Sequence, residues 1–344
     1  MKSILITGGA GFIGSALVRF LLHKTDYTVV NIDKLSYAGS LKNLGEYQNH
    51  PRHIFIHSDI ADISVLQKIF QQYQPIGVIH LAAESHVDKS IKQPADFFHS
   101  NVLCTYFLLE QTVNHYQRLP ESQKNTFRFV FVSTDEVFGS LQADEPPFDE
   151  HAPIRPNNPY AASKAAAEQF VQAWHKTYGL PAIIANACNN YGEYQHQEKL
   201  IPTVIRHALL GKNIPMYGDG KQIRDWIYVE DTVCALWQIF QHGDIGERFV
   251  IGAENEIENR TLIGRICDLL DKHSPIANNA HISGSLKTYN QLIASTSDRL
   301  GHDRRYAINP KKMRQTLNWQ AKTPFEKGIE KTVLYYIQLV MSNE

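Results

Sequence analysis

Along the first 190 residues, short apolar runs alternate with segments whose apolar residues recur every three or four positions. Ser3 to Thr7 is an apolar run that stops at Gly8-Gly9, and Phe12, Ile13, Ala16, Leu17, Phe20 and Leu21 then mark one face of a helix. Thr28 to Asp33 reads as a second strand, and Ile54 to Ile56, closed by Asp59, as a third. Asp62 opens a helix with Val65, Leu66, Ile69, Phe70 and Tyr73 on one side. Gly77 to Leu81 reads as a fourth strand, 95–116 as one long helix, Phe127 to Val132 as a fifth strand and Ala182 to Asn186 as a sixth. Between the last two, Asn158 is placed to cap a helix with Pro159 in its first turn, an Ala-rich body from Ala161 to Glu168, and Gly179 and Pro181 as its stop. Strands that are apolar on both faces and separated by helices predict a parallel sheet covered on both sides.

After about residue 190 this rhythm weakens. Tyr191 to Gln197 is polar and loop-like, a helix is predicted near 200–211, and Gly218-Asp219-Gly220 is a turn. Val229 to Gln241 reads as helix and Phe249 to Ile251 as one more strand. The last helix is predicted to start with Thr323 as cap, Pro324 in the first turn and Glu326 completing a capping box. The pattern as a whole predicts an α/β fold: a Rossmann-type, doubly wound parallel sheet with a smaller C-terminal substrate-binding lobe. Residues 1–190 form the sheet domain, with 225–252 returning to it, and 191–224 and 253–344 form the lobe.

Composition narrows the function classes. Lys plus Arg (34) and Asp plus Glu (35) nearly cancel, which argues against a general nucleic-acid binder. Hydrophobic residues at 43% and charged residues at 20% are those of a folded protein, and no apolar run is long enough to span a membrane. Cys104, Cys188, Cys234 and Cys267 form no Cys-x-x-Cys pair and read as reduced thiols, mostly buried. The histidines and cysteines form no cluster with ligand spacing, so no metal is predicted. The chain runs from one lysine straight into a strand, which is not a signal-peptide layout, and a cytoplasmic enzyme is expected.

Three motifs carry chemistry. Gly8, Gly11 and Gly14 follow the first strand and open the first helix; such glycines let backbone N–H groups and a helix N-terminus approach a pyrophosphate. Asp33 ends the second strand, where a carboxylate accepts from the adenosine ribose hydroxyls and repels a 2′-phosphate, so NAD is favoured over NADP; the alternative is a turn or cap aspartate. Asp59 is either beside the adenine or a plain loop residue. Tyr160 and Lys164, four apart on a helix, share a face, and a nearby ammonium favours a phenolate able to take a proton from a sugar hydroxyl. Just upstream, Ser133-Thr134-Asp135-Glu136 ends a strand, where ligands sit in open α/β sheets. Two adjacent carboxylates there serve as acid and base if their surroundings separate their pKa values; otherwise they are a solvated acidic turn.

With these pieces the sequence resembles the extended short-chain dehydrogenase/reductases, and within them the nucleotide-sugar 4,6-dehydratases. The likeness runs nearly end to end, through 81–88, Ser133 to Val137, 189–192, Glu198 to Pro202, Gln222 to Trp226 and Gly301 to Tyr306. Relatives that only epimerise at C4 usually carry a Ser/Thr-rich stretch in place of Thr134-Asp135-Glu136. The resemblance implies dehydration of dTDP-glucose to the 4-keto-6-deoxy sugar by a tightly held, internally recycled NAD, on the way to 6-deoxyhexoses of the rhamnose type. Tyr160 and Lys164 would serve the C4 oxidation with Thr134 holding the 4-hydroxyl, Glu136 would take the C5 proton, and Asp135 would protonate the leaving C6 hydroxyl. It further implies cofactor contacts from Phe12, Ile13, Lys34, Leu35, Ser36, Asp59, Ile60, Leu81, Ala82, Ala83, Ser100 and Asn190. Sugar-nucleotide contacts are implied at Ser85, Thr134, Asn189, Lys199, Leu200, Pro215, Met216, Tyr217, Arg224, Asn259 and the Asp298 to His302 segment, which contains Arg299.

Arg224 also makes sense on its own terms, since a guanidinium binds a diphosphate bidentately; its alternative is a surface residue paired to Asp225 or Asp219. A homodimer through helices near 95–116 and 160–178 is implied, with Phe97, Phe98, Leu103, Phe107 and Leu108 supplying either that contact or the intrachain core. The departures are Phe138 for Tyr, Glu193 for Pro, His196-Gln197 for Phe-Pro and Leu300 for Pro. They bear on substrate fit rather than reaction type. The rival readings are a sugar-nucleotide 4-epimerase or decarboxylase, which Asp135-Glu136 argues against, and a dinucleotide-binding protein without turnover. Thymine and uracil differ by one methyl, so dTDP and UDP sugars stay open.

Overall fold

The computed structural model describes residues 2–282 and 286–342. The chain opens with β1 (Ser3–Thr7), α1 (Phe12–Lys24), β2 (Thr28–Asp33), β3 (His53–His57), α2 (Ile63–Tyr73) and β4 (Gly77–His80). Then follow α3 (Val87–Lys92), α4 (Pro94–Phe97), a π-helical turn (Phe98–Leu103), α5 (Cys104–Arg118), α6 (Glu121–Lys124), β5 (Arg128–Thr134), α7 (Pro159–Tyr178) and β6 (Ala182–Ala187). The second half contains β7 (Asn189–Tyr191), α8 (Leu200–Leu209), β8 (Ile214–Tyr217), β9 (Ile223–Tyr228), α9 (Val229–His242), β10 (Arg248–Ile251), β11 (Glu256–Glu258) and α10 (Asn259–His273). It closes with β12 (Ile293–Thr296), α11 (Lys311–Leu317) and α12 (Phe325–Met341).

Seven parallel strands form the main sheet in the order β10-β6-β5-β4-β1-β2-β3. Successive side chains leave a strand on opposite faces. Ile4 and Ile6 therefore join Leu17 and Leu21 of α1 and Leu236 and Phe240 of α9, whereas Leu5 joins Leu66 of α2, Leu108 of α5 and Val171 of α7. The strand order reverses between β1 and β4, and an open α/β sheet binds its ligand at that switch point.

A third core lies among α8, α10 and α12, built from Ile201, Ile205, Ile266, Ile329, Val333 and Tyr336. Two small sheets accompany it. β9 pairs with β7 in parallel and with β11 in antiparallel, and β8 pairs with β12 in parallel. The sequence pattern showed neither sheet, because their strands are three to six residues long and take partners far along the chain.

Some local expectations hold and two fail. Asn158 caps α7, its Oδ1 accepting from Ala161 N at 2.8 Å, and Gly179 ends it in the left-handed region at φ 71°. The single long helix expected at 95–116 is instead α4, the π turn and α5 in succession. The π turn places Ser100 on the cofactor cavity and buries Asn101, whose amide pairs with both Glu84 N and Glu84 O. The capping box at Thr323 and Glu326 does not form. Asp231 of α9 takes the backbone N–H groups of Lys322 and Thr323 at 3.0 and 2.9 Å, and Glu326 is drawn to Arg265 at 2.8 Å. The helix starts after Pro324 without a side-chain cap.

Candidate active site

A cleft runs across the carboxyl ends of β1, β2, β4 and β5 and holds two adjoining cavities of about 300 and 240 Å³. The first is floored by the glycine loop. Gly8 sits at φ 73°, and a β-carbon there would lie 2.6 Å from Ala82 N; one on Gly14 would lie 2.1 Å from Gly8 O. Neither position has room for a side chain. Gly11 precedes α1 with no side-chain cap, so the first turn of the helix faces the cavity with its partial positive charge. Asp33 is a turn aspartate that also lines the cavity. Its oxygens accept from Ala10 N at 2.9 Å and Leu35 N at 2.8 Å, while its carboxylate lines the cavity. Each oxygen keeps a lone pair for a ribose hydroxyl.

Gly8, Gly11, Phe12, Ile13, Gly14, Asp33, Lys34, Ser36, Asp59, Ile60, Leu81, Ala82, Ala83, Ser100, Tyr160, Lys164 and Asn190 all line this cavity. Leu35 does not; at φ 51° it turns the chain, and its backbone N–H goes to Asp33. Lys34 bridges Asp59 at 3.4 Å and Ser100 at 3.2 Å, joining three loops on the cavity rim. A buried hydrogen-bond chain that no motif announced ties the glycine loop to α7. Thr7 Oγ1 takes Ala82 N–H and meets His80 Nδ1 at 2.6 Å, and His80 Nε2 meets Thr105 Oγ1 at 2.9 Å. Thr105 donates to Asn101 O, and Asn101 donates to Ser163 Oγ, which donates to Tyr160 O. Thr105 has thus spent its proton, so His80 donates from Nε2 and accepts at Nδ1. Burial, with Lys164 adding to it, pushes the His80 pKa down to about 3 and keeps the ring neutral.

Thr134, Asp135, Glu136, Tyr160 and Lys164 all line the first cavity, and Glu136 lines the second as well. Thr134 ends β5; its Oγ1 donates to Asp135 Oδ1 at 3.2 Å and accepts Glu136 N–H at 3.3 Å, fixing the turn that follows. Asp135 is 2% exposed, so the solvated-turn reading fails. Burial, and then Glu136, raise its pKa well above the carboxylate range. Burial raises Glu136 too, but Arg224, Lys199 and a hydrogen bond from Asn158 Nδ2 at 3.3 Å pull it back. Both carboxyls are thus pushed up, Asp135 the further, so a proton is favoured on Asp135 over Glu136.

Tyr160 departs from expectation. Burial and the carboxylates of Glu136 and Asp135 raise its pKa, so its hydroxyl is protonated at rest. Lys164 does not offset this. Its ammonium donates to Val132 O at 2.8 Å, over the Phe131 ring at 4.2 Å, and burial lowers its own pKa to about 8.

The second cavity is lined by Asn189, Lys199, Leu200, Pro215, Tyr217, Arg224, Asn259, Arg299 and His302. Ser85 and Thr134 line the first. Met216 and Asp298 line neither; Met216 packs on Gly220, and Asp298 accepts from His302 Nδ1 and Gln222 Nε2. Arg224 is not the surface residue of the alternative reading. It is 7% exposed, lies 4.2 Å over the Tyr306 ring and donates to the carbonyls of Ile223 and Asp303. Asp219 pairs instead with Arg304, and Asp225 accepts the N–H groups of Ala253, Glu254 and Asn255. Arg299 is held by Asp88 at 2.6 Å, and Lys199 donates to Ser85 O at 2.7 Å.

Sequence reasoning did not single out Gln195, His196 and Glu198 as site residues, yet all three line the first cavity. Glu198 draws His86, Lys89 and His196 to within 3.4–3.7 Å. Its place beside Lys199 was the one available signal. Side-chain oxygens of Ser133, Asp135, Asn189, Asn190 and Asn259 are buried in the walls without a protein partner. A cradle without room for side chains, a ribose-ready carboxylate and these unpaired oxygens fit a dinucleotide.

The family model described as GDP-mannose 4,6 dehydratase matches residues 5–332. The dTDP-glucose 4,6-dehydratase of Haemophilus influenzae is 50% identical over 337 residues, covering 98% of both chains. The chain belongs to this family, among its dTDP-glucose 4,6-dehydratases. The dTDP-glucose 4,6-dehydratase 1 of Escherichia coli K12 is 48% identical, with 97% of this chain and 92% of the other covered. Among solved structures, the dTDP-glucose 4,6-dehydratase of Streptomyces venezuelae with NAD and dTDP bound superposes with a TM-score of 0.86 at 37% identity, covering 98% of this chain and 97% of that one. A UDP-glucose 4-epimerase from Thermotoga maritima, solved with UDP-glucose, superposes at 0.82 and 27% identity, covering 98% and 100%. The dehydratase and epimerase thus share one frame, and within it this chain carries Asp135-Glu136, with Asp135 buried. Among the described residues, no helix is long and apolar enough to cross a membrane.

Proposed function

We propose that the cleft dehydrates dTDP-glucose to dTDP-4-keto-6-deoxy-glucose with NAD, a step of deoxysugar biosynthesis. The observation that carries the residue roles is the Asp135–Glu136 pair at the end of β5, with Asp135 buried, Glu136 half-buried on both cavities, and the Asp135 carboxyl pushed up the further. Residues 1–190 with 225–252 hold the cofactor, and 191–224 with 253–344 hold the sugar nucleotide. The glycine loop and α1 take the pyrophosphate, Asp33 the adenosine ribose, and Lys164 the nicotinamide ribose. Bound NAD+ supplies a positive charge in the site, a hydride acceptor and afterwards a hydride donor.

Thr134 Oγ1 orients the sugar 4-hydroxyl. Tyr160, protonated at rest, would first give up its proton as the positive charge of bound NAD+ favours the phenolate, and its Oη then takes the proton of the 4-hydroxyl. The resulting 4-keto group acidifies the C5 proton. Glu136, whose charge Arg224 and Lys199 favour, removes that proton, and Asp135 gives its own to the departing C6 hydroxyl. Arg224 and Lys199, with Arg299, meet the diphosphate. The test is incubation with dTDP-glucose, UDP-glucose or GDP-mannose, followed by the alkali-sensitive ultraviolet absorbance of a 4-keto sugar. Signal with dTDP-glucose is expected. Silence with all three overturns the dehydratase reading, and signal with UDP-glucose alone overturns the thymidine assignment.

The working unit is a homodimer joined through the segment 95–116, which spans α4, the π turn and α5, and through α7. Phe97 and Leu108 turn into the intrachain core at 2% and 0% exposure, while Phe98 stands out at 61%. On α7, Phe170 and Tyr178 stand out on either side of the buried Trp174, with ring centroids 5.9 and 5.2 Å from it. An apolar ridge of this kind is covered by a partner. Phe98→Glu is expected to convert the dimer to monomer in sedimentation equilibrium. A wild-type protein that is monomeric at micromolar concentration contradicts the dimer.

A further inference from the structure

Behind the cleft lies a charge cluster that lines neither ligand cavity. Glu168 follows Lys164 by one turn of α7 and is fully buried. Its Oε2 pairs with Arg248 Nη2, from β10, at 2.7 Å, and its Oε1 accepts from Asn186 Nδ2, on β6, at 2.7 Å. The other proton of that amide goes to Thr134 O at 2.8 Å, and Asn186 Oδ1 accepts from Arg248 Nη1 at 2.6 Å. Two acceptors and one donor leave the amide a single orientation. One buried network thus reaches the peptide of Thr134 and the helix turn that carries Lys164.

We infer that Glu168, held by Asn186 and Arg248, is a positioning residue for Lys164 and Thr134. The inference rests on the roles given to those two residues above. An ion pair taken largely out of water loses much of its Coulombic gain to desolvation, so clamping β10 to α7 is weak reason for a charge here. A carboxylate one turn from a buried ammonium has a stronger one. The titratable and charged groups about Lys164 are Glu168 one turn on along α7, Tyr160 one turn back, neutral His80 on β4, and Arg248 beyond Glu168. Burial works against the Lys164 charge, and Glu168 works for it. Through Asn186 the same carboxylate fixes the Thr134 carbonyl, which sets the residue whose hydroxyl begins the Asp135–Glu136 turn.

The test compares Glu168→Gln, Arg248→Gln and the double variant as holoenzymes. Two readouts are taken: the titration of Lys164 by carbon-13 NMR of the lysine ε-carbons, assigned with Lys164→Arg, and the alkaline limb of kcat with dTDP-glucose. Glu168→Gln is expected to lower the Lys164 titration by about one pH unit. The alkaline limb moves down with it, while KM changes little. The double variant shows the same displacement, although its neutral pair keeps the clamp. Arg248→Gln leaves the titration at or above the wild-type position, because the carboxylate remains. A mere clamp gives the opposite pattern, with the double variant titrating as wild type. That result overturns the inference, as does a fall in Arg248→Gln equal to that in Glu168→Gln. If Glu168→Gln alone fails to fold, the double variant and Arg248→Gln still decide. A displaced titration in a protein that ignores dTDP-glucose leaves this inference standing and removes the substrate reading instead.

Discussion

Glu136→Gln stops the loss of water while oxidation at C4 continues: this is the first expected result. The substitution keeps the side chain's size and an oxygen for Asn158 Nδ2, but the amide takes no proton from C5. Turnover to the 4-keto-6-deoxy product is expected to fall about 10²–10⁴-fold, the usual contribution of a positioned general base. The bound cofactor is then trapped reduced. Mixing the variant with dTDP-glucose and following the near-ultraviolet absorbance of NADH checks this, with product measured in parallel. Wild-type product formation removes Glu136 from the role of base.

Tyr160→Phe is the second, and it fails one step earlier. The ring packs edge-on to Phe97 with centroids 6.3 Å apart, and phenylalanine keeps that contact, so the fold is retained. What is lost is the only oxygen proposed to take the 4-hydroxyl proton. A fall of about 10²–10⁴-fold in kcat/KM corresponds to about 3–5 kcal/mol of transition-state stabilisation. Here NADH does not accumulate, because the alcohol is never oxidised. The pair of variants therefore places each residue in order: one accumulates reduced cofactor, and the other shows neither reduced cofactor nor product. A Tyr160→Phe protein that still reduces its cofactor at the wild-type rate overturns the assignment.

Features with local causes were legible in the sequence. The glycine loop, Asp33, the Asn158 cap and the Gly179 stop each depend on a few neighbouring residues, and the structure places them as read. Features set by distant partners were not. Thr323 reads as a helix cap until Asp231, 92 residues away, takes its N–H. The run at 95–116 reads as one helix until Asn101 is recruited by Glu84 and Lys34 reaches Ser100. Tyr160 and Lys164 share a helix face as spacing demands, yet spacing does not reveal that Val132 O holds the ammonium. The network of Glu168, Asn186 and Arg248 joins three elements and carries no local signature. His80 likewise shows only as a strand residue, and its fixed tautomer emerges from partners 73 and 25 positions away.

The return of β10 to the sheet beside β6 bears on how the protein is made. The paired Ile251 and Ala187 lie 64 positions apart, and that interval contains β7, α8, β8, β9 and α9. A ribosome that has just finished β6 has produced a sheet with an open edge and with no α9 to cover Val130 and Ile183. Such an edge invites pairing with another chain. The nascent main sheet thus stays unfinished until Arg248 has emerged, by which time β7, β8 and β9 of the two small sheets are also present. The sheets are completed together, and neither part is a module that evolution or an engineer could detach by a single cut.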